Sequence, residues 1–152
     1  MNKAFLDILY HLSHETGLKL YPDENDACKL HLSNDQYVQL EMDPSEQHLN
    51  AVCKITEIPL GKFKENVLKH ALVANHQYNP YESCLCYIHK ANQLSLYQKI
   101  PIKNLQPPQL VQMIVLIGLK AQEWKQAIEQ GRPGPNIIQS PTPLPSSKNP
   151  TR

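Results

Sequence analysis

No stretch of this sequence stays apolar for long. The longest such run, Met113 to Leu119, has seven residues including Gly118, where a helix crossing a bilayer needs about 20. Membrane insertion is not expected. An excess of one charge is also missing, since 15 Lys and Arg face 14 Asp and Glu scattered along the chain. Without a basic block or an aromatic-basic stripe there is no footprint for phosphate binding, so nucleic acid is not an expected partner. Glycine is sparse, at five residues, and none forms a phosphate-cradling loop. Ser-centred elbows and paired carboxylates at catalytic spacing are absent as well, so no catalytic residue is assigned. Residues Met1 to Tyr10 carry Asp7 inside an apolar stretch and lack a small-residue cleavage site, which argues against a signal peptide. Four cysteines in an unexported chain read as reduced thiols, and the expected location is cytoplasmic.

What is present is one domain's worth of alternating periods. With 152 residues, 41% hydrophobic and 19% charged, the chain has room for a single core plus a tail. Phe5, Ile8, Leu9 and Leu12 fall at helical spacing between Asn2 and Gly17, predicting a helix over residues 3–16. The period then becomes two: Cys28, Leu30 and Leu32; Val38, Leu40 and Met42; Leu49, Ala51, Cys53 and Ile55. Polar turns at Asn34-Asp35 and Asp43-Pro44-Ser45 separate these segments, as in an antiparallel meander with one buried face. Phe63, Val67, Leu68, Ala71 and Leu72 predict a second helix over 61–75. Ser83 to His89 is apolar on both faces and reads as a strand covered on both sides, hairpinned to Leu94, Leu96 and Ile100. Pro107 and Pro108 suit a first helical turn, and Leu110, Ile114, Ile117, Ala121, Trp124 and Ile128 continue it over 108–130. The last 22 residues hold six of the 13 prolines, so residues 1–132 are read as the domain and 133–152 as a disordered proline-rich tail.

This order, α-β-β-β-α-β-β-α, describes an α/β (α+β) fold with a twisted, mainly antiparallel sheet packed with three helices. With it come Gly17-Leu18-Lys19-Leu20, Ala27 to Leu32, Tyr37 to Glu41, Ile58-Pro59-Leu60, Ala71 to Asn75 and a last helix bearing Trp124. In that combination the chain resembles the class I type III secretion chaperones, the Tir chaperone or CesT-like family, over about residues 4–130. It departs from the family's usual acidity, with a pI near 7.7, and in its proline-rich end. The resemblance implies a homodimer that holds the amino-terminal segment of a secreted effector in a non-globular, soluble state and assists its delivery to the secretion apparatus. It implies no cofactor, and export apparatus components as further partners. The runner-up is a non-secretory α/β scaffold or regulatory subunit that binds a folded protein.

Metal and redox readings are weaker. Cys84 and Cys86 point to one face of a strand with α-carbons about 6.6 Å apart, and no second cluster stands at zinc spacing. His11 and His14 share a helical face without a third ligand, so no metal is assigned. For effector binding, the apolar stripe of the first helix and outward strand residues single out Phe5, Leu9, Tyr37, Val52 and Tyr97. Val67, Ala71, Ala74, Leu85 and Tyr87 are more apolar than one helix on one sheet requires and are read as the dimer interface.

Overall fold

Capping and a single left-handed residue define the first helix in the computed structural model, which describes residues 2–33, 35–77, 79 and 82–137. In α1 (Lys3–Thr16) the Asn2 side chain accepts from the Phe5 N–H at 2.9 Å. Gly17, at φ +72°, donates its N–H to the Ser13 carbonyl and turns the chain out of the helix. Phe5, Leu9 and Leu12 form the buried stripe.

Five strands follow the alternation: β1 (Ala27–Ser33), β2 (Gln36–Met42), β3 (His48–Glu57), β4 (Cys84–Ile88) and β5 (Gln93–Pro101). They form one sheet in the order β1-β2-β3-β5-β4, every neighbouring pair antiparallel. Because β3 and β4 both oppose β5, they run parallel to each other, and α2 (Lys62–His76) is the crossover between them. One face of the sheet is sealed by Cys28, Leu30, Val38, Leu40, Leu49, Ala51, Cys53, Leu96 and Ile100, each at most 3% exposed. The alternate residues on the other face remain half-buried or exposed, apart from the small Ala27 and Ser95.

α3 (Pro107–Glu129) packs across β2, β3 and β5, and α1 packs against α3. Its first turn uses both prolines and a reciprocal cap between Gln106 and Gln109. The tip of the β1–β2 hairpin is pinned to the middle of α3: Gln36 Nε2 donates to the Gly118 carbonyl at 3.1 Å, and Leu32 occupies the space a side chain at 118 would need. Lys125 pairs with Asp35 at 3.0 Å beside it.

One expectation changes. β4 is an edge strand, and only Leu85 of it is fully buried; Cys84, Cys86 and Ile88 are half-exposed on the open face. Past α3, Gly134 is buried against His70 and Trp124. The remainder of the expected tail, 138–152, lies outside the described residues.

Candidate binding surface

Beyond Gly17 the chain doubles back along α1 and is stapled there by hydroxyl groups. Ser13 Oγ donates to the Leu9 carbonyl at 2.8 Å and accepts from the Leu20 N–H at 3.2 Å. Thr16 Oγ1 accepts from the Leu18 N–H at 3.2 Å. Leu20 enters the core, while Leu18 and Tyr21 are left outside at 43% and 74% exposure. Asp23 then fixes the entry to β1, accepting at Oδ1 from the N–H groups of Asn25 and Ala27 and donating its own N–H to the Ala27 carbonyl. Between α1 and this returning segment lies a groove of about 540 Å³ lined by Leu6, Tyr10, His14, Leu18 and Tyr21, with Leu9 beneath them. Tyr10, 62% exposed, stacks edge-on against His14 at 4.8 Å between ring centres.

Beside this groove β1 is paired on one side only. Ala27 turns its N–H and carbonyl to Asp23, away from β2. By the two-residue alternation of an antiparallel pair, Lys29 and His31 turn their main-chain groups to the same free edge.

The open face supplies the third element. Lys29, Gln39, Val52, Tyr97 and Cys84 stand in register across all five strands. Tyr37 lies one row away, with Lys29 Nζ 5.0 Å from its ring centre and His31 at 5.5 Å. Tyr97 donates to Asn50 Oδ1 on the neighbouring strand β3 at 2.9 Å. Three of the five residues expected to bind an effector, Tyr37, Val52 and Tyr97, thus share one half-buried surface. The other two do not. Phe5 and Leu9 are 1% exposed and pack in the core on the opposite side of the sheet, because the α1 stripe is fully covered by the domain itself. Sequence reasoning passed over Tyr10, Leu18 and Tyr21; the signal was an aromatic on the polar side of α1 and apolar residues flanking the helix stop.

Of the five residues expected at a dimer interface, Val67, Ala71 and Leu85 are buried within the chain, at 0%, 7% and 5% exposure. Ala74 and Tyr87 are half-buried beside them, packed on the same core. They form the seam between α2 and β4. Asn75 bridges it, donating Nδ2 to the Leu85 carbonyl at 2.7 Å and accepting the Leu85 N–H at 2.9 Å. Tyr87 is fixed through Asn92, which also donates to the Ile58 carbonyl, and Lys64 lies over its ring at 4.7 Å. The apolar residues of α2 that do face outward are Leu72 and Val73, at 70% and 49% exposure.

All four cysteines are free. Burial raises the Cys53 thiol to about 11 and pushes Cys28 and Cys86 upward too, so these behave as apolar side chains rather than nucleophiles. Among the described residues no group of three or more His, Cys, Asp or Glu could hold a metal ion, and no helix is long and apolar enough to cross a membrane.

A search of curated proteins found no match. Solved structures do match in fold. A chain of the ExsC–ExsE complex superposes with a TM-score of 0.69 at 14% identity, covering 84% of this chain and 97% of that one. A chain of the HopA1–SchA chaperone–effector complex gives 0.67 at 19% identity, over 82% and 94%. A chain of the Yersinia pestis type III secretion chaperone SycH in complex with a fragment of YscM2 gives 0.61 at 16%, over 77% and 96%. The family model of the Tir chaperone protein (CesT) family matches residues 7–125, from within α1 to within α3 and through every strand of the sheet. With most of its length matched, this chain belongs to the Tir chaperone (CesT) family.

Proposed function

We propose that this chain is a cytoplasmic type III secretion chaperone that holds the amino-terminal segment of a secreted effector as an extended, non-globular ligand. The observation that carries this reading is the juxtaposition of a one-sided edge strand, β1, with the open groove beside Tyr10, Leu18 and Tyr21. An unpaired edge offers main-chain hydrogen bonds to a segment without a fixed shape, and a neighbouring apolar groove accepts its side chains at intervals. Ordering such a segment costs several kcal/mol, so several apolar anchors must be buried together. Tyr37, Val52 and Tyr97 extend the apolar surface onto the open sheet face. Family membership and three neighbours solved as complexes, one of them a chaperone–effector complex by name, support the same reading. Binding is the whole activity in this reading; no substrate is turned over and no cofactor enters. The working form is a homodimer in which Leu72 and Val73 of α2 meet a second copy, with the α2–β4 seam behind them as its rigid support.

The test is capture of effectors from the parent cell on the tagged chain, followed by truncation of each captured protein. An amino-terminal fragment that binds as well as its full-length parent, and shows no globular dispersion in NMR spectra while bound, is the expected result. Binding that needs the folded remainder of the partner would favour a scaffold for folded proteins instead.

A further inference from the structure

The free edge of β1 carries a charge pattern of its own. Lys29 and His31, the two positions that turn main-chain groups outward, hold exposed side chains on the open face of the sheet. Both are drawn onto Tyr37 of β2. The Lys29 ammonium lies 5.0 Å from its ring centre, and the His31 ring stands 5.5 Å away. Among the described residues neither forms an ion pair. Glu41, the one carboxylate of β2, stands opposite Ala27 and accepts from Gln39 Nε2 at 2.9 Å.

Both ends of this stretch are acidic. Asp23, Glu24 and Asp26 are exposed in the turn before β1, and Asp35 lies beyond its far end. Lys125 offsets Asp35 at 3.0 Å. Among the described residues, no ion pair involves the carboxylates of the turn. Asp26 is three residues from Lys29, about 10 Å along an extended chain, which is close to the screening length at physiological salt. An anion opposite Lys29 therefore responds mainly to the Lys29 ammonium. One placed further toward the turn meets carboxylates instead. The edge favours anions at two neighbouring positions of the open face and disfavours them before it.

Residues directly opposite each other in a β-pair share a face of the sheet. Partners of Lys29 and His31 on an added strand therefore project onto the open face, and the residue between them projects onto the sealed side, level with Leu30. We infer that the effector segment pairing with β1 carries an acidic residue, an apolar residue and a second acidic residue in succession. This rests on the proposed reading of an extended ligand and specifies its composition. One carboxylate meets the Lys29 ammonium, the other accepts a ring N–H from His31, and the apolar side chain continues the sealed face past Leu30. A strand without the acids leaves the Lys29 charge unmatched. The charge that discourages chance pairing at this edge thereby also selects among ligands.

The test is selection of displayed random peptides, about 20 residues long and so longer than the seven residues of β1, on the full chain. A parallel selection uses the double variant Lys29→Glu, His31→Glu, whose exposed positions leave the core untouched. Peptides selected on the parent should carry the acid–apolar–acid triplet well above its frequency in the starting library. The double variant should return Lys or Arg in place of the acids and bind the parent's peptides at least about tenfold more weakly, since each cross-strand charge pair is worth about threefold. Lys29→Gln, which adds no new charge, should weaken the same peptides about threefold. Selected peptides that lack the triplet, or that bind either variant as tightly as the parent, overturn the inference and leave the extended-ligand reading standing. A selection that yields no peptide binder overturns that reading and the inference with it.

Discussion

The two edges of the sheet are treated differently. At the β4 edge, the Leu85 N–H and carbonyl that a further strand would need are both taken by the Asn75 amide, and α2 covers the strand. At the β1 edge Ala27 is, among the described residues, the one position occupied, by Asp23, and the positions after it face outward beside a groove with exposed aromatics. An open edge is a liability in a soluble protein, and the cationic Lys29 and a bulge between His31 and Ser33 limit it to a short stretch. The contrast teaches that the domain has a closed end and an open end, and that apolar residues at the two carry different meanings.

The largest effect should come from the floor of the groove. Leu9 underlies it but is 1% exposed, so Leu9→Ala should remove about 3 kcal/mol of stability and lower Tm by roughly 6–12 °C. Tyr10→Ala, on the rim, should change stability by less than about 0.5 kcal/mol while weakening effector binding. Thermal melts of both variants decide it. If Leu9→Ala melts like the parent and loses only binding, α1 is not seated in the core and the division between floor and rim fails.

Next is the closed edge. Asn75→Ala strips two hydrogen bonds from the Leu85 backbone and should cost about 2 kcal/mol, read as a lower urea midpoint with unchanged slope. An unaffected midpoint would mean that β4 is held by side-chain packing alone and that its edge is no better closed than that of β1.

How far this division could be seen in advance follows from what periodicity measures. Alternation at Cys28, Leu30, Val38, Leu40, Leu49 and Ala51 marks the sealed face, and the stripes of α1 and α3 mark their inward sides, because burial on one face leaves that trace along the chain. Periodicity does not say which apolar residues remain uncovered after packing. Phe5 and Leu9 read as groove residues and are core, while Tyr10 and Tyr21, off every stripe, are exposed. Val67 and Leu85 looked surplus to one layer because the Asn75 bridge that draws α2 onto β4 joins positions ten residues apart and leaves no local signature. Gly134 carries no apolar signal at all, and its burial depends on rings contributed by two helices.

A smaller effect separates the two faces of the sheet through their thiols. Cys53, 0% exposed on the sealed face, has its thiol raised from 9.0 to about 11 by burial. Between those values the unfolded chain has lost this proton and the folded chain keeps it. The stabilisation is therefore full below pH 9.0 and is lost as pH rises toward about 11. Urea unfolding on either side of that window should show the decline, and Cys53→Ala should make it measurably shallower, Cys28 and Cys86 supplying the rest. The same slope in the variant would assign the decline to other groups, and Cys53 would not be the sealed thiol of this pair of faces.

The smallest effect on the fold is expected on the open face. Val52 is half-exposed and lies directly between Gln39 and Tyr97. An aspartate there is solvated and meets no buried partner, so Val52→Asp should shift stability by no more than about 0.5 kcal/mol. Strand propensity accounts for part of that shift. The same change puts a charge where an apolar anchor of the effector segment would sit, and binding should weaken about tenfold or more, equivalent to about 1.4 kcal/mol. Calorimetric titration with the captured amino-terminal fragment measures this, and Val52→Ala separates loss of contact from introduced charge. Full affinity in both variants would remove the open face from the binding surface and confine the ligand to the α1 groove and the β1 edge.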